Sequence, residues 1–514
     1  MKEAILSWKK EPRDKKVQYC CVLVLLLVEL MFFSPPMHAA GAAMLSVDYF
    51  MVIPAGLFLL ITLRKGINRK GRATLVLGLL MAAWAVAVEV LRFRFNMDFF
   101  APGGIAMYYG LALPMAFAIE DEHRQWGITA FALLFVLAGI RLCIQAAGLI
   151  LGILPESYSA FVRWDGARLQ QMFHPTNCAL ILMLGIGFSL ALCFRTKRNW
   201  LRAVLIVLAM LQFGVQCLTN GRNAAGFTSL MVGGFLFCLL RGTGWKRIPV
   251  ALVAGVALAG MLFITSQRMY AAHEQRMYDA ASLQQPQTTQ TEQADVAEQM
   301  QQTEASYEPL QQIRVIPMVQ IDFPEQVQMP EVSYEVETNN RSGQSKKNWE
   351  QAGVLLSQID YPAVLPRENA QGTLREDLVT FNGRSSIWVE AVNGALRHPL
   401  ILLCGTDSMV EVLGEGGEIN AEHTHSSYLD TLYTLGIPGL LLSLAITLLV
   451  LRAGVLVLWR NTDLWKSCVA VLTLCTLGSS ILEPYLFAAK NYHHYICVLF
   501  LIAAGYLHRW SLDK

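Results

Sequence analysis

The chain has 514 residues, 54% of them hydrophobic and 16% charged, with a formal net charge of +2. Soluble domains carry roughly 25% charged residues, so the composition excludes an ordinary soluble protein and indicates an all-α polytopic membrane protein. The net charge says nothing useful about partners, and no nucleic-acid partner is expected.

Apolar runs of about 17 to 24 residues recur, the length that crosses a hydrocarbon core of roughly 30 Å. Nine transmembrane spans are predicted first, near 17–34, 44–63, 74–91, 103–119, 127–150, 177–194, 203–218, 224–240 and 249–266. They make up a first region, 1–266. A large extracytoplasmic loop, 267–431, follows. The region 432–514 adds three more spans, near 432–451, 467–486 and 494–508, for twelve in all. With the basic N-terminus (Lys9, Lys10, Arg13, Lys15, Lys16) in the cytoplasm, 24 Lys and Arg fall inside. Only 6 fall in the short outer loops. That asymmetry predicts a multi-pass protein of the bacterial cytoplasmic membrane with both termini cytoplasmic. "FFSPPMHAAGAA" after the first run mimics a small-residue cleavage site, but the later spans call for an inserted first helix. The eleven cysteines lie almost all within spans and no C-x-x-C occurs. Neither a disulfide nor a thiolate metal site is expected.

The long loop has two characters. Residues 281–347 are rich in Gln, Glu and Thr and poor in aliphatic side chains, a composition that reads as disordered. Residues 371–431 read as structured and site-bearing. "GRSSIWVEAVNGALRHPLILL" places Ile387, Val389, Val392, Ala395 and Leu396 at roughly helical spacing. An amphipathic helix opening after Gly383 is predicted there, packed on the outer membrane face.

Polar residues within or at the rim of spans are costly and therefore informative. On the outer side these are Arg141, Arg163, Arg168, His174, Arg222, Arg384, His423 and His425. Glu483, Tyr485, Lys490, His493 and His494 surround the last outer turn. Arginines and histidines dominate, with few carboxylates near them. That mixture suits a diphosphate headgroup, because guanidinium matches phosphate in a bidentate fork. Each has a plainer reading. Arg163 and Arg168 suit a solvated loop, Arg141 can snorkel to the interface, and Arg222 can touch lipid phosphate passively. The pair in "AEHTHSSYLDTLYTLGIPGLLLSL" is open to three readings: metal ligands on one face of a strand, a catalytic base, or a polar loop end. No third ligand is evident nearby except Glu422. There is no Walker loop, no G-x-S-x-G elbow and no aspartate-rich pair to hold Mg²⁺ on the outer face.

"HSSYLDTLYTLGIPGLLL" resembles the hallmark of the O-antigen ligase and polymerase superfamily of membrane glycosyltransferases. The matching positions are His425, Ser426, Leu429, Leu432, Gly436 and Gly439. Thr434 stands where the family usually has Glu. Three more pieces resemble family motifs in order. "FHPTNCALILML" supplies Asn177 and Ala179 with a variant spacing, and "LTNGRNAAGF" supplies Arg222. "NGRSSIWVEAVNGALRHPLILLCGTD" supplies Arg384, Trp388, Pro399 and Gly405, with Asp407 replacing a second glycine. The resemblance covers about 168–444.

It implies a metal-independent and cofactor-free glycosyltransferase acting outside the cytoplasmic membrane. The donor would be an undecaprenyl-diphosphate-linked glycan. The acceptor would be a glycan, lipid, wall polymer or protein, with membrane lipids around the site. His425 would be the catalytic base. Arg222 and Arg384, with Arg141, would bind the diphosphate, and His423, Asn177 and Trp388 would support them. The competing classes are a lipid-linked polysaccharide transporter or flippase and a non-catalytic assembly component. A transporter should show charges deep in several spans and two similar halves. This chain has few such charges and divides nine plus three.

Overall fold

The computed structural model describes residues 12–14, 16–17, 20–21, 57, 72–94, 126–154, 162–165, 167–171, 175–241, 247–284, 384–406, 409–414, 423–460, 463–487 and 494–512. The spans expected near 17–34, 44–63 and 103–119 lie almost wholly outside these residues. So do residues 285–347 of the Gln-rich stretch, residues 371–383, Asp407, Glu422, His174, Lys490 and His493. The chain divides into two compact units, Met1–Glu274 with Ala363–Lys514, and Gln275–Pro362.

The described chain is almost entirely helical. In order, the helices are α1 (Arg72–Arg94), α2 (Trp126–Ile150), α3 (Pro175–Arg195), α4 (Asn199–Leu218), α5 (Arg222–Arg241) and α6 (Ile248–Gln284). Then come α7 (Arg384–Arg397), α8 (Pro399–Cys404), α9 (Met409–Gly414), α10 (Ser427–Arg460), α11 (Leu464–Ser479) and α12 (His494–Leu512). Six of them contain stretches long and apolar enough to cross a membrane: α2, α3, α4, α5, α6 and α10. The all-α expectation misses one feature. Between α2 and α3 the strands Arg163–Asp165 and Arg168–Gln170 form a small antiparallel hairpin. It carries Arg163 and Arg168, and Arg163 Nε donates to Gln170 Oε1 (3.3 Å).

α3 is the centre of the bundle. It packs against α2, α4, α5 and α11, and its side chains are buried almost throughout. α4 and α6 lie at the periphery and expose Ile206, Val207, Met210, Val250, Val253 and Val256. Apolar outer faces of this kind suit contact with lipid tails rather than water.

Two boundaries differ from the sequence reading. The ninth span was expected to end at 266, but α6 continues to Gln284. At 1.5 Å per residue its 37 residues reach about 55 Å, well past a 30 Å core. The polar stretch "QRMYAAHEQRMYDAASLQ" has good helix formers, so the helix continues where the hydropathy stops. The eleventh span was expected to reach 486, but α11 ends at Ser479 and a non-helical turn occupies 480–487. Pro484, in "ILEPYLF", is incompatible with helix interior there.

The contacts segregate into two ends. At one end Arg195 bonds the Thr129 hydroxyl and stacks over the Trp465 ring at 5.1 Å, and Arg460 donates to Ser511 O (3.4 Å). The other end gathers the start of α3, the α4–α5 turn, α7 and α8, the start of α10 and the turn 480–487.

A break in α10 anchors that second end. Gly436 has φ 69°, and Pro438 has no N–H to give to the carbonyl of Thr434. The carbonyls freed at the break, and the one that ends α8, are claimed from α1. Arg92 Nη2 donates to Thr434 O (2.5 Å), Arg92 Nε to Cys404 O (3.2 Å), and Trp84 Nε1 to Leu435 O (2.7 Å). Gly405, which follows α8, also has φ 69°. A Cβ on either glycine would collide with the other segment's backbone, so the two chains meet where no larger residue fits.

Arg92 is fully buried. Arg92→Met, which leaves two buried carbonyls without donors, is expected to lower unfolding stability in detergent by about 2–4 kcal/mol. Gly436→Ala should destabilise as well, and an unchanged unfolding midpoint in both variants would contradict this account of the break.

Candidate active site at the rim of the bundle

Three separate segments meet at a single buried carboxylate. Glu483 lies in the turn after α11 and is 8% exposed. Its Oε1 accepts from Arg384 Nη2 of α7 at 2.5 Å. Its Oε2 faces Nδ1 of His425 at 3.8 Å, a charge-interaction distance and too long for a hydrogen bond. That Nδ1 is buried and has no hydrogen-bond partner. Burial alone would raise the Glu483 carboxyl. The imidazole of His425 and the guanidinium of Arg384, with a smaller contribution from His423, outweigh burial and hold it below its usual value.

Local chemistry explains why His425 stands there. It precedes α10 with φ 54°, a left-handed conformation rare for a residue with a Cβ. Its backbone N–H donates to His423 Nδ1 (3.3 Å), and the two rings meet edge-on with centroids 4.1 Å apart. The pair does not lie on a strand, as an H-x-H metal site would favour. The His423 bond requires Nδ1 unprotonated. Thr424 between them is fully buried, and its N–H and hydroxyl both donate to the Asp430 carboxylate, at 2.8 and 2.6 Å. Asp430 sits in the first turn of α10, where a negative charge suits the helix dipole. Trp388 stands one turn after Arg384 on α7, and its Nε1 donates to Thr424 O (2.9 Å). From one helix face, Arg384 thus reaches the Glu483 turn and Trp388 reaches the histidine segment.

Ser427 joins this segment to the Glu483 turn. Its N–H donates to Ser480 O (3.0 Å), its hydroxyl donates to Glu483 O (2.8 Å), and Leu486 N–H donates back to that hydroxyl (3.0 Å).

Arg222 opens α5 after a tight turn in which Asn220 has φ 52°. That turn is tied to the Glu483 region, because Asn223 Nδ2 donates to Ser479 O (3.2 Å). A small recess lies between them, lined by Thr176, Gly221, Asn223, Ser479, Glu483 and Tyr485 among others. Within it, Asn223 Oδ1 and the Ser479 hydroxyl oxygen are buried without a hydrogen-bond partner. Asn177 is the third residue of α3, next to Thr176, and is half-buried. Arg141 is half-buried in α2, whose next carbonyl, Leu142 O, accepts from Gln171 Nε2 (2.6 Å). The charges acting on Glu483 come from Arg384, His425 and His423, and Arg141 is not among them.

The structure therefore joins Arg384, His425, His423 and Trp388, sets the Arg222 turn beside them, and leaves Arg141 outside the Glu483 cluster. Of the few carboxylates expected near the histidines, Glu483 faces His425, and Asp430 binds Thr424 between the two rings. The helix after Gly383 is present, but its buried face is Ala391, Gly394 and Ala395. Val389, Val392 and Leu396 are exposed. Among the described residues, no group of three or more His, Cys, Asp or Glu side chains is placed to hold a metal ion.

No protein-family model matches the chain, and no curated protein matches it.

Because the Glu483 carboxyl is depressed in the folded state, its stabilisation is complete above the ordinary carboxylate range. It is lost as pH falls below about 4.3 and through the folded value. Glu483→Gln should therefore flatten the acid side of the stability–pH curve while lowering stability at pH 7. Parallel curves for the two proteins below pH 5 would contradict the pairing. Trp388→Phe, which keeps the ring but loses the Thr424 bond, should cost about 1 kcal/mol in the same unfolding assay.

Proposed function

We propose that the protein is a membrane glycosyltransferase of the O-antigen ligase and polymerase type. It transfers or polymerises an undecaprenyl-diphosphate-linked glycan at the outer face of the bacterial cytoplasmic membrane. In this reading twelve spans cross the membrane, both termini are cytoplasmic, and 267–431 is extracytoplasmic. The observation that carries it is the meeting of Arg384, His425 and Glu483 at one rim, with the Arg222 turn tied alongside. These are the arginines and the histidine on which the motif resemblance rests.

The chemistry follows from those groups. An acceptor hydroxyl attacks the anomeric carbon of the donor. Its proton passes to the imidazole of His425, and the bond from the anomeric carbon to the phosphate oxygen breaks. Undecaprenyl diphosphate leaves as an anion. The sugar–phosphate bond is already activated, so neither nucleotide nor metal is required. The developing negative charge needs cations in place beforehand, the role of Arg222 and Arg384. A neutral imidazole suits proton removal near neutral pH. Nδ1 of His425 is turned to Glu483, which leaves Nε2 for the acceptor. Attack opposite the leaving group inverts the anomeric centre.

The test uses purified protein in lipid with undecaprenyl-diphosphate glycan from the native host, without nucleotide and with a metal chelator. Wild type is expected to release undecaprenyl diphosphate, and His425→Ala to do so about 100-fold or more slowly. Arg222→Lys and Arg384→Lys are each expected to lose about tenfold or more, because Lys lacks the planar fork. Lipid bound but unchanged by wild type would favour a transporter, and full activity in His425→Ala would remove the base from the mechanism.

A further inference from the structure

The pairing of Arg384 with Glu483 raises a difficulty for a phosphate-binding arginine. Its guanidinium is already committed, at 2.5 Å, to a carboxylate, and the two side chains are only 14% and 10% exposed. Beside them, the one nitrogen of His425 that faces the carboxylate is buried and has no hydrogen-bond partner. One carboxylate therefore stands between the guanidinium and an imidazole nitrogen, and hydrogen-bonds only the guanidinium.

The surroundings fix the backbone and leave the side chain to move. Ser427 clamps the Glu483 carbonyl, the Leu486 N–H and the Ser480 carbonyl, so the turn is held on three sides. Trp388 and Asp430 hold the backbone of Thr424, and with it the histidine segment. Oε2 lies 3.8 Å from Nδ1. A torsion of the Glu483 side chain that carries it about 1 Å toward the ring makes a full hydrogen bond. An anion at Arg384 supplies the drive. A phosphate there satisfies the guanidinium and places like charge beside the carboxylate, in a site too dry to screen it. The carboxylate's relief is a proton donor, and the nitrogen it faces is Nδ1 of His425, which donates once the ring proton sits there.

We propose that Glu483 is a switched positioning residue. A diphosphate captured by Arg384 hands the Glu483 carboxylate to Nδ1 of His425, and this fixes the imidazole tautomer in which Nε2 is the proton acceptor. The inference rests on the glycosyltransferase reading and adds an order to it. The base is set only once the donor headgroup is in place, so an empty site does not hold a prepared base open to water. The carboxylate remains a carboxylate and the ring remains neutral; only the ring proton's seat changes, from Nε2 to Nδ1.

The experiment reads that seat directly. Full-length protein with ¹⁵N-labelled histidine is placed in lipid nanodiscs above the pH at which imidazoles are protonated. The His425 nitrogens are assigned among the ten histidines by their loss in His425→Asn. Wild type without ligand is expected to show mainly the Nε2–H form. Arg384→Gln, which frees the carboxylate without any ligand, should invert the ratio to mainly Nδ1–H. The double variant Arg384→Gln, Glu483→Gln should restore Nε2–H. An unchanged ratio in Arg384→Gln, or Nδ1–H persisting in the double variant, overturns the switch and leaves the glycosyltransferase reading intact. Undecaprenyl diphosphate without glycan, and inorganic diphosphate in a separate arm, are then added to wild type. Inversion by both shows that the headgroup suffices, and inversion by the lipid alone shows that the tail must also seat. Inversion in Arg384→Gln but by neither diphosphate overturns the donor link and counts against the glycosyltransferase reading. Glu483→Gln provides a control that does not depend on Arg384. It must stay in the Nε2–H form at lipid concentrations that invert wild type, and an inversion there overturns the role of Glu483.

Discussion

Burying the Glu483 carboxylate is the constraint around which the rim of this bundle is built. A carboxylate taken out of water is tolerated only beside positive charge and hydrogen-bond donors. Arg384 supplies the first, and the two histidines add to the field. Satisfying it drew together a loop helix, the segment before α10 and the turn after α11. Ser427 then stitches two of these through backbone and hydroxyl bonds, none of which depends on ionisation. The cluster is thus charged at its centre and neutral at its seams.

A second buried cation does a different kind of work. Arg92 touches carbonyls, Cys404 O and Thr434 O, at the place where α8 ends and α10 breaks. Backbone groups without partners are not tolerated in an apolar interior. The break at Gly436 and Pro438 therefore exists only with donors brought by another helix. Arg92 and Trp84 place α1 against the start of α10, and that fixes where the histidine segment leaves the bundle. The two arginines divide the tasks: Arg92 stabilises the frame, and Arg384 holds the Glu483 carboxylate at the rim.

Much of this was legible in the sequence where the cause is local. The described helices at 72–94, 126–150, 175–195, 199–218 and 222–241 match apolar runs because run length and the lack of alternative backbone partners decide them. The helix opening at Arg384 follows Gly383 and a helical spacing of apolar residues. Arg222, Arg384 and His425 stood out as polar groups where the apolar pattern makes them costly, and Trp388 only through the motif resemblance. The end of α6 was misjudged because hydropathy marks where lipid stops, whereas helix propensity continues into the polar residues beyond. Glu483 was visible as an acidic residue in an apolar setting, but nothing near it in the chain names its partners.

The sequence by itself determined the class of molecule, most of the described helices and which polar residues stand out against the apolar pattern, because composition, run length and turn residues act over a few neighbours. Tertiary structure alone decided that Glu483 pairs with Arg384, 99 residues away, rather than standing alone. It also decided that Arg92 closes the broken helix and that Arg141 stays outside the cluster. Charges pair across space according to which helix ends packing brings together, and burial removes the water that would otherwise let them ignore one another.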